Sequence, residues 1–180
     1  KNDLNIKDTL SDYSYKGAQI VGKSSGDWSD EFVINIGSSD GVTKEMVVVT
    51  GEGLVGKVTS VGKNSAKIET LSSENISVGA VAVNRSQSEG VVRGYTDSDD
   101  KTLAEMYFLP SNTDIKEGDT VVTSGTGNVY PKNIRIGTVK SLVIDKIKGS
   151  KNAIIKPFVD FSKLQEVFVV IPKDKIEIKY

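Results

Sequence analysis

At 180 residues the chain suits one domain or two small ones, and 37% apolar with 26% charged residues is ordinary for a folded protein. Balanced charge, 23 Lys and Arg against 24 Asp and Glu, gives no footprint for nucleic acid. With no His and no Cys, His bases, thiol nucleophiles, disulfides and His- or thiolate-bound metals are excluded.

The N-terminal "LNIKDTL" (4–10) has helix-compatible spacing, with Leu4 and Leu10 flanking Lys7 and Asp8, and reads as the end of a longer helix over residues 1–16. Strand signals then dominate. "EFVINIG" (31–37) alternates with Phe32, Ile34 and Ile36 on one face. "MVVVT", "LVGKVTSV", "AKIETL", "VGAVAV" and "EGVVRG" follow, each short and bounded by Gly, Ser, Asn or Asp. "AEMYFL", "TVVTSG", "IRIGTVKSLVI", "NAIIKPF" and "EVFVVI" repeat the style in the second half. No apolar run approaches the ~20 residues of a membrane span. The chain opens at Lys1 rather than Met and reads as an excised soluble fragment, which leaves room for an anchor upstream.

The two halves match in order. "KEMVVVTG" (44–51) matches "KEGDTVVTSG" (116–125) with one extra residue, and "VGKVTSV" (55–61) matches "IGTVKSL" (136–142). Residues 62–83 then align without a gap on 149–170, so that Ala66 meets Ala153, Ile68 meets Ile155 and Val83 meets Val170. This predicts a mainly β protein of two small barrels, a tandem pseudo-repeat. The expected division is residues 17–94 and 95–172, with a tail over 173–180 and with strand exchange between the barrels left open. One large mixed sandwich is the rival architecture. Each unit is small, so the barrels should pack on each other or on a partner.

"SGTGNVYPKN" (124–133) is the richest turn segment, and the first repeat has only "GEGL" in its place. A phosphate loop needs a helix after its glycines, whereas Pro131 and an alternating strand follow here. The loop therefore connects strands, with Gly125 and Gly127, like Gly41 and Gly137, expected as structural turn glycines. Its apolar tip of Val129, Tyr130 and Pro131 either meets a partner or folds inward as a plug. Trp28, in "SGDWSDEF" (25–32), is suited to stacking on a sugar ring or to covering a barrel core. "YTDSDDK" (95–101) lacks the Gly and distal Glu of a calcium loop and reads as a solvated linker. No G-x-S-x-G or S-x-x-K motif marks a nucleophile. A Ser-Lys protease, a cell-wall hydrolase and a peptidoglycan-binding module remain the alternatives to a non-enzymatic binding protein. No cofactor or metal is expected.

Three stretches carry a family resemblance: "VGKSSGDWSDEFVINIGSSDGVTKEMVVVTGEGLVGKV" (21–58), "EGVVRG" (89–94) and "LPSNTDIKEGDTVVTSGTGNVYPKNIRIGTV" (109–139). With the C-terminal "PFVDFSKLQEVFVV", the chain resembles the MreC family of bacterial rod shape-determining proteins over about residues 18 to 172. The resemblance implies the extracytoplasmic part of a membrane-anchored, non-enzymatic scaffold of the cell-elongation machinery. It implies a transmembrane helix and coiled coil upstream, with "LNIKDTL" as the end of the coil. It further implies self-assembly into dimers or filaments, and a class B penicillin-binding protein, MreD, RodA and MreB as partners. Two features depart from the family: the acidity of "YTDSDDK" and the tail "KDKIEIKY".

Overall fold

The computed structural model describes residues 13–23, 31–95, 102–127, 129–145 and 147–172. Residues 4–10, Trp28, the linker residues 96–101 and the tail 173–180 lie outside the described residues. Among the described residues the period-two segments become twelve antiparallel strands. They are β1 Tyr13–Lys23, β2 Glu31–Ile34, β3 Val47–Thr50, β4 Gly53–Val61, β5 Ala66–Thr70 and β6 Val78–Ala82. Then follow β7 Gly90–Gly94, β8 Ala104–Tyr107, β9 Thr120–Thr123, β10 Arg135–Asp145, β11 Ser150–Pro157 and β12 Glu166–Pro172. Strand β1 begins inside the segment expected to be helical, because its residues 13–19 pair with β12, a partner more than 140 positions away. Local spacing could not reveal that pairing.

The strands close into two six-stranded barrels, which removes the single-sandwich alternative. Around the first barrel the order is β3-β4-β5-β2-β1-β12, and around the second β9-β10-β11-β8-β7-β6. The two cycles superimpose strand for strand when the first repeat is taken as β1–β6 and the second as β7–β12. One substitution breaks the pattern: each barrel holds the sixth strand of the other repeat.

Strands are exchanged across residues 94 and 95, with β6 and β7 in the second barrel and β12 in the first. The second barrel is continuous from β6 to β11 and sits as an insertion between β5 and β12 of the first. The cause is local. Residues 83–89 form a short connection in which buried Ser88 accepts from the Ala82 N–H at 3.0 Å and donates to the Arg85 carbonyl at 2.9 Å. That connection folds β6 straight back onto β7, with Val78 opposite Val92 and Ala80 opposite Gly90. Only β12 is then left to fill the gap between β1 and β3.

The repeat persists in the backbone. Strand β4 carries a bulge between Val58 and Ser60, and β10 carries one between Val139 and Ser141. Glu45 (φ 75°) precedes β3 where Gly118 (φ 88°) precedes β9, both in the left-handed region. Val47 and Thr120 open their strands at the same offset, so the extra residue expected between "KEMVVVTG" and "KEGDTVVTSG" is not present. Gly137 is not a turn glycine. It lies inside β10, and Gly56 holds the equivalent place in β4. A Cβ on Gly56 would lie 1.8 Å from the Glu69 carbonyl oxygen, and one on Gly137 2.2 Å from that of Lys156, so neither strand could approach its neighbour with a side chain there. Gly41, Gly125 and Gly127 have φ between 83° and 89°, in the left-handed region.

One hydrophobic core runs through both barrels, from Phe32, Ile34, Leu54 and Ile68 in the first to Ala80, Met106, Ile136 and Ile155 in the second. The barrels also meet backbone to backbone, where a Cβ on Gly53 of β4 would stand 2.6 Å from the Arg135 carbonyl oxygen of β10. Packing a barrel on its neighbour hides apolar surface that a unit of this size would otherwise expose.

Candidate interaction surface

Relative to the first repeat, the second has grown in two places, and both growths shape the surface. The first is the loop 124–133 between β9 and β10. Its frame is polar. Buried Thr123 donates through Oγ1 to the Pro131 carbonyl at 2.5 Å and accepts from the Ile134 N–H at 2.8 Å. Thr126 Oγ1 donates to Glu89 at 2.6 Å, and the Ser124 N–H reaches the Gly79 carbonyl at 2.9 Å. These bonds tie the loop to its own barrel, while Val129 and Pro131 reach residues of the first.

Tyr130 turns inward. It is 5% exposed and belongs to the shared core, whereas Val129 is 38% exposed. Burial pushes the Tyr130 phenol well above its usual range, and the carboxylates of Glu45 and Glu69, both from the first barrel, push the same way. Its hydroxyl has no protein partner among the described residues. Val129 and Pro131 flank it at the surface and line a crevice of about 280 Å³ with Tyr13, Met46, Val47 and Val170. The aromatic ring thus fixes the loop, and its two neighbours offer the accessible apolar contact.

A second feature on the surface escaped the sequence reading. Phe108, at the end of β8, has φ 63° and is 71% exposed. A bulky residue in the left-handed region is a genuine backbone outlier, and such strain collects at functional positions. The Arg93 guanidinium lies 4.9 Å from the Tyr107 ring centre and 5.9 Å from that of Phe108, and the two rings are 6.3 Å apart. Arg93 belongs to "EGVVRG" and faces Glu105 across the β7–β8 pair. The sequence held one signal: Tyr107-Phe108 continues the alternation of "AEMYFL" by one residue too many, leaving an aromatic on the solvent side.

Elsewhere, Arg85 grips Asp119 through two hydrogen bonds of 2.8 and 3.1 Å, which join the β6–β7 and β8–β9 connections. The Arg85 hydrogen bond holds the Asp119 carboxyl below its usual range. Among the described residues no cluster of three acids is placed to hold a metal ion, and no helix is long and apolar enough to cross a membrane.

The two-barrel fold is shared with known proteins. The family model "Rod shape-determining protein MreC, barrel core" matches residues 20–171. The chain belongs to the MreC family. A curated relative, the cell shape-determining protein MreC of Listeria monocytogenes, is 40% identical over 172 residues, which is 94% of this chain and 58% of that protein. This MreC-family chain therefore spans somewhat over half the length of that relative. A solved MreC structure from Listeria monocytogenes shares 35% identity with a TM-score of 0.80, covering 95% of this chain and 84% of that one. A solved complex between penicillin-binding protein PBP2 and MreC from Helicobacter pylori matches at 18% identity and a TM-score of 0.71, covering 89% of this chain and 99% of that one, a likeness of fold.

Proposed function

We propose that this chain is the extracytoplasmic, non-enzymatic part of a membrane-anchored scaffold that maintains rod shape by binding and organising peptidoglycan synthases. Membership of a family named for cell shape supports the reading. So does the Helicobacter pylori relative, solved in complex with a penicillin-binding protein. The observation that carries it is the exposed, strained Phe108, clustered with the Tyr107 ring and the Arg93 guanidinium. Aromatic residues and Arg dominate binding hot spots, and backbone strain is retained where a residue must face outward. The class B penicillin-binding protein docks on this cluster, and Val129 and Pro131 at the crevice between the barrels add a second contact. Tyr130 serves by holding that loop in place. MreD, RodA and MreB join through the membrane-anchored remainder of the protein, and self-assembly multiplies the sites along the cell. Trp28 belongs to the same binding role.

The test is titration of the cognate penicillin-binding protein with Phe108→Asn. Asn tolerates the left-handed backbone, so the fold should melt no lower than the parent. Binding should weaken by at least about tenfold, as expected for a hot-spot aromatic. Undiminished binding would remove Phe108 from the interface.

A further inference from the structure

The second growth of the repeat is the β10–β11 turn. Four residues, 62–65, join β4 to β5, whereas 143–152 carry the equivalent connection in the second barrel. Strand β10 pairs with β9 only through Arg135, Gly137 and Thr138, and β11 pairs with β8 only through 153–155. Residues 143–145 and 150–152 therefore pair only with each other and leave the barrel wall as a two-stranded arm. Asn152 ties its root, donating to buried Glu105 at 3.0 Å. The tip is built as well: the Asp145 side chain accepts from the Ile147 and Lys148 N–H groups at 3.0 and 3.1 Å, and its carbonyl accepts from the Gly149 N–H at 2.7 Å.

What the described residues of this arm present is apolar and cationic together. Val143 is 42%, Ile144 61% and Ile147 97% exposed. Lys148 is exposed next to Ile147, Lys140 is exposed in β10 below the arm, and Lys151 stands opposite Ile144 across the ribbon. The one acid of the arm, Asp145, spends its carboxylate on the turn. Val143 and Ile144 are consecutive strand residues, so their side chains leave opposite faces of the ribbon. A flat protein surface could cover one face and would leave the other in water. A fluid interface surrounds both, and an anionic one satisfies the lysines.

We propose that the β10–β11 arm dips into an anionic lipid surface, with Ile147, Ile144 and Val143 entering the headgroup boundary and the lysines holding the phosphates. Apolar insertion combined with basic side chains is the physical requirement for such interfacial binding. The inference is independent of synthase docking, which uses β7 and β8.

The test is flotation of the 180-residue chain with vesicles of equal parts phosphatidylcholine and phosphatidylglycerol, and with vesicles of phosphatidylcholine alone. The chain should float with the anionic vesicles, release in high salt, and stay behind with the neutral ones. Ile147→Asp should lower partitioning at least about tenfold, and Lys148→Ser about fivefold. Both positions are exposed, so melting should not change. Absence of flotation, equal flotation with neutral vesicles, or an Ile147→Asp variant that floats like its parent would each overturn the proposal. So would a variant that altered only self-association, which would make the arm a contact between copies.

Discussion

Replacing Tyr130 by Ala asks whether the elaborated β9–β10 loop is part of the fold or an ornament on it. The ring is 5% exposed within the core shared by both barrels. Burying roughly 150 Å² of it at ~25 cal/mol per Å² is worth about 4 kcal/mol, which agrees with the 3–5 kcal/mol typical of aromatic truncation. For a chain of this size the melting temperature should fall by about 10 °C. Tyr130→Phe keeps the ring and removes a hydroxyl with no protein partner among the described residues, so it should match or exceed the parent by up to about 1 kcal/mol. The phenol adds a pH signature. Its folded pKa is raised above 10.0, the ordinary value for the unfolded chain, so its contribution is complete below pH 10 and is lost as pH rises towards the folded value. Stability should therefore fall in alkali by up to about 1.4 kcal/mol per pH unit, and the Phe variant should flatten that slope. Urea unfolding followed by circular dichroism across that range reads all three. A Tyr130→Ala variant that melts with the parent would refute the packing argument and return Tyr130 to the solvent-facing tip of the loop.

The remaining predictions follow from topology, close packing and charge. Residues 76–160 contain all six strands of the second barrel and should give a folded, less stable domain, whereas the repeat-defined piece 95–172 should not fold; proton-amide dispersion distinguishes them. Gly56→Ala and Gly137→Ala must push neighbouring strands apart and should each cost about 2–3 kcal/mol in denaturant titration. Asp119 has a depressed folded pKa, so its stabilising contribution is present above the ordinary carboxylate range and lost as pH falls through the folded value. Asp119→Asn should accordingly weaken the dependence of stability on pH in acid, measured by thermal melts.

Strand identity, strand order along the chain and the duplication were legible in the sequence because alternation and turn residues are local signals. Ala66 with Ala153 and Ile68 with Ile155 share a face in β5 and β11 as the constant offset predicts. The growth of the 124–133 loop was legible as an insertion too, since a repeat exposes a departure from itself. Strand β1 was hidden, because its pairing with β12 depends on residues at the other end of the chain. Phe108 left only the one surplus aromatic at the end of "AEMYFL", and its positive φ has no sequence period of its own.

Composition alone removed thiol and imidazole chemistry, and pattern alone determined a duplicated β protein. Only the tertiary structure decided which barrel receives each sixth strand, because β6 and β12 match in pattern and either would fit either gap. A short turn tied by Ser88 settles that choice by making the nearest partner the favoured one. The same distinction holds for Tyr130. The sequence placed it at the tip of a grown loop, and the tertiary structure turned it inward because a second barrel lies within reach to bury it.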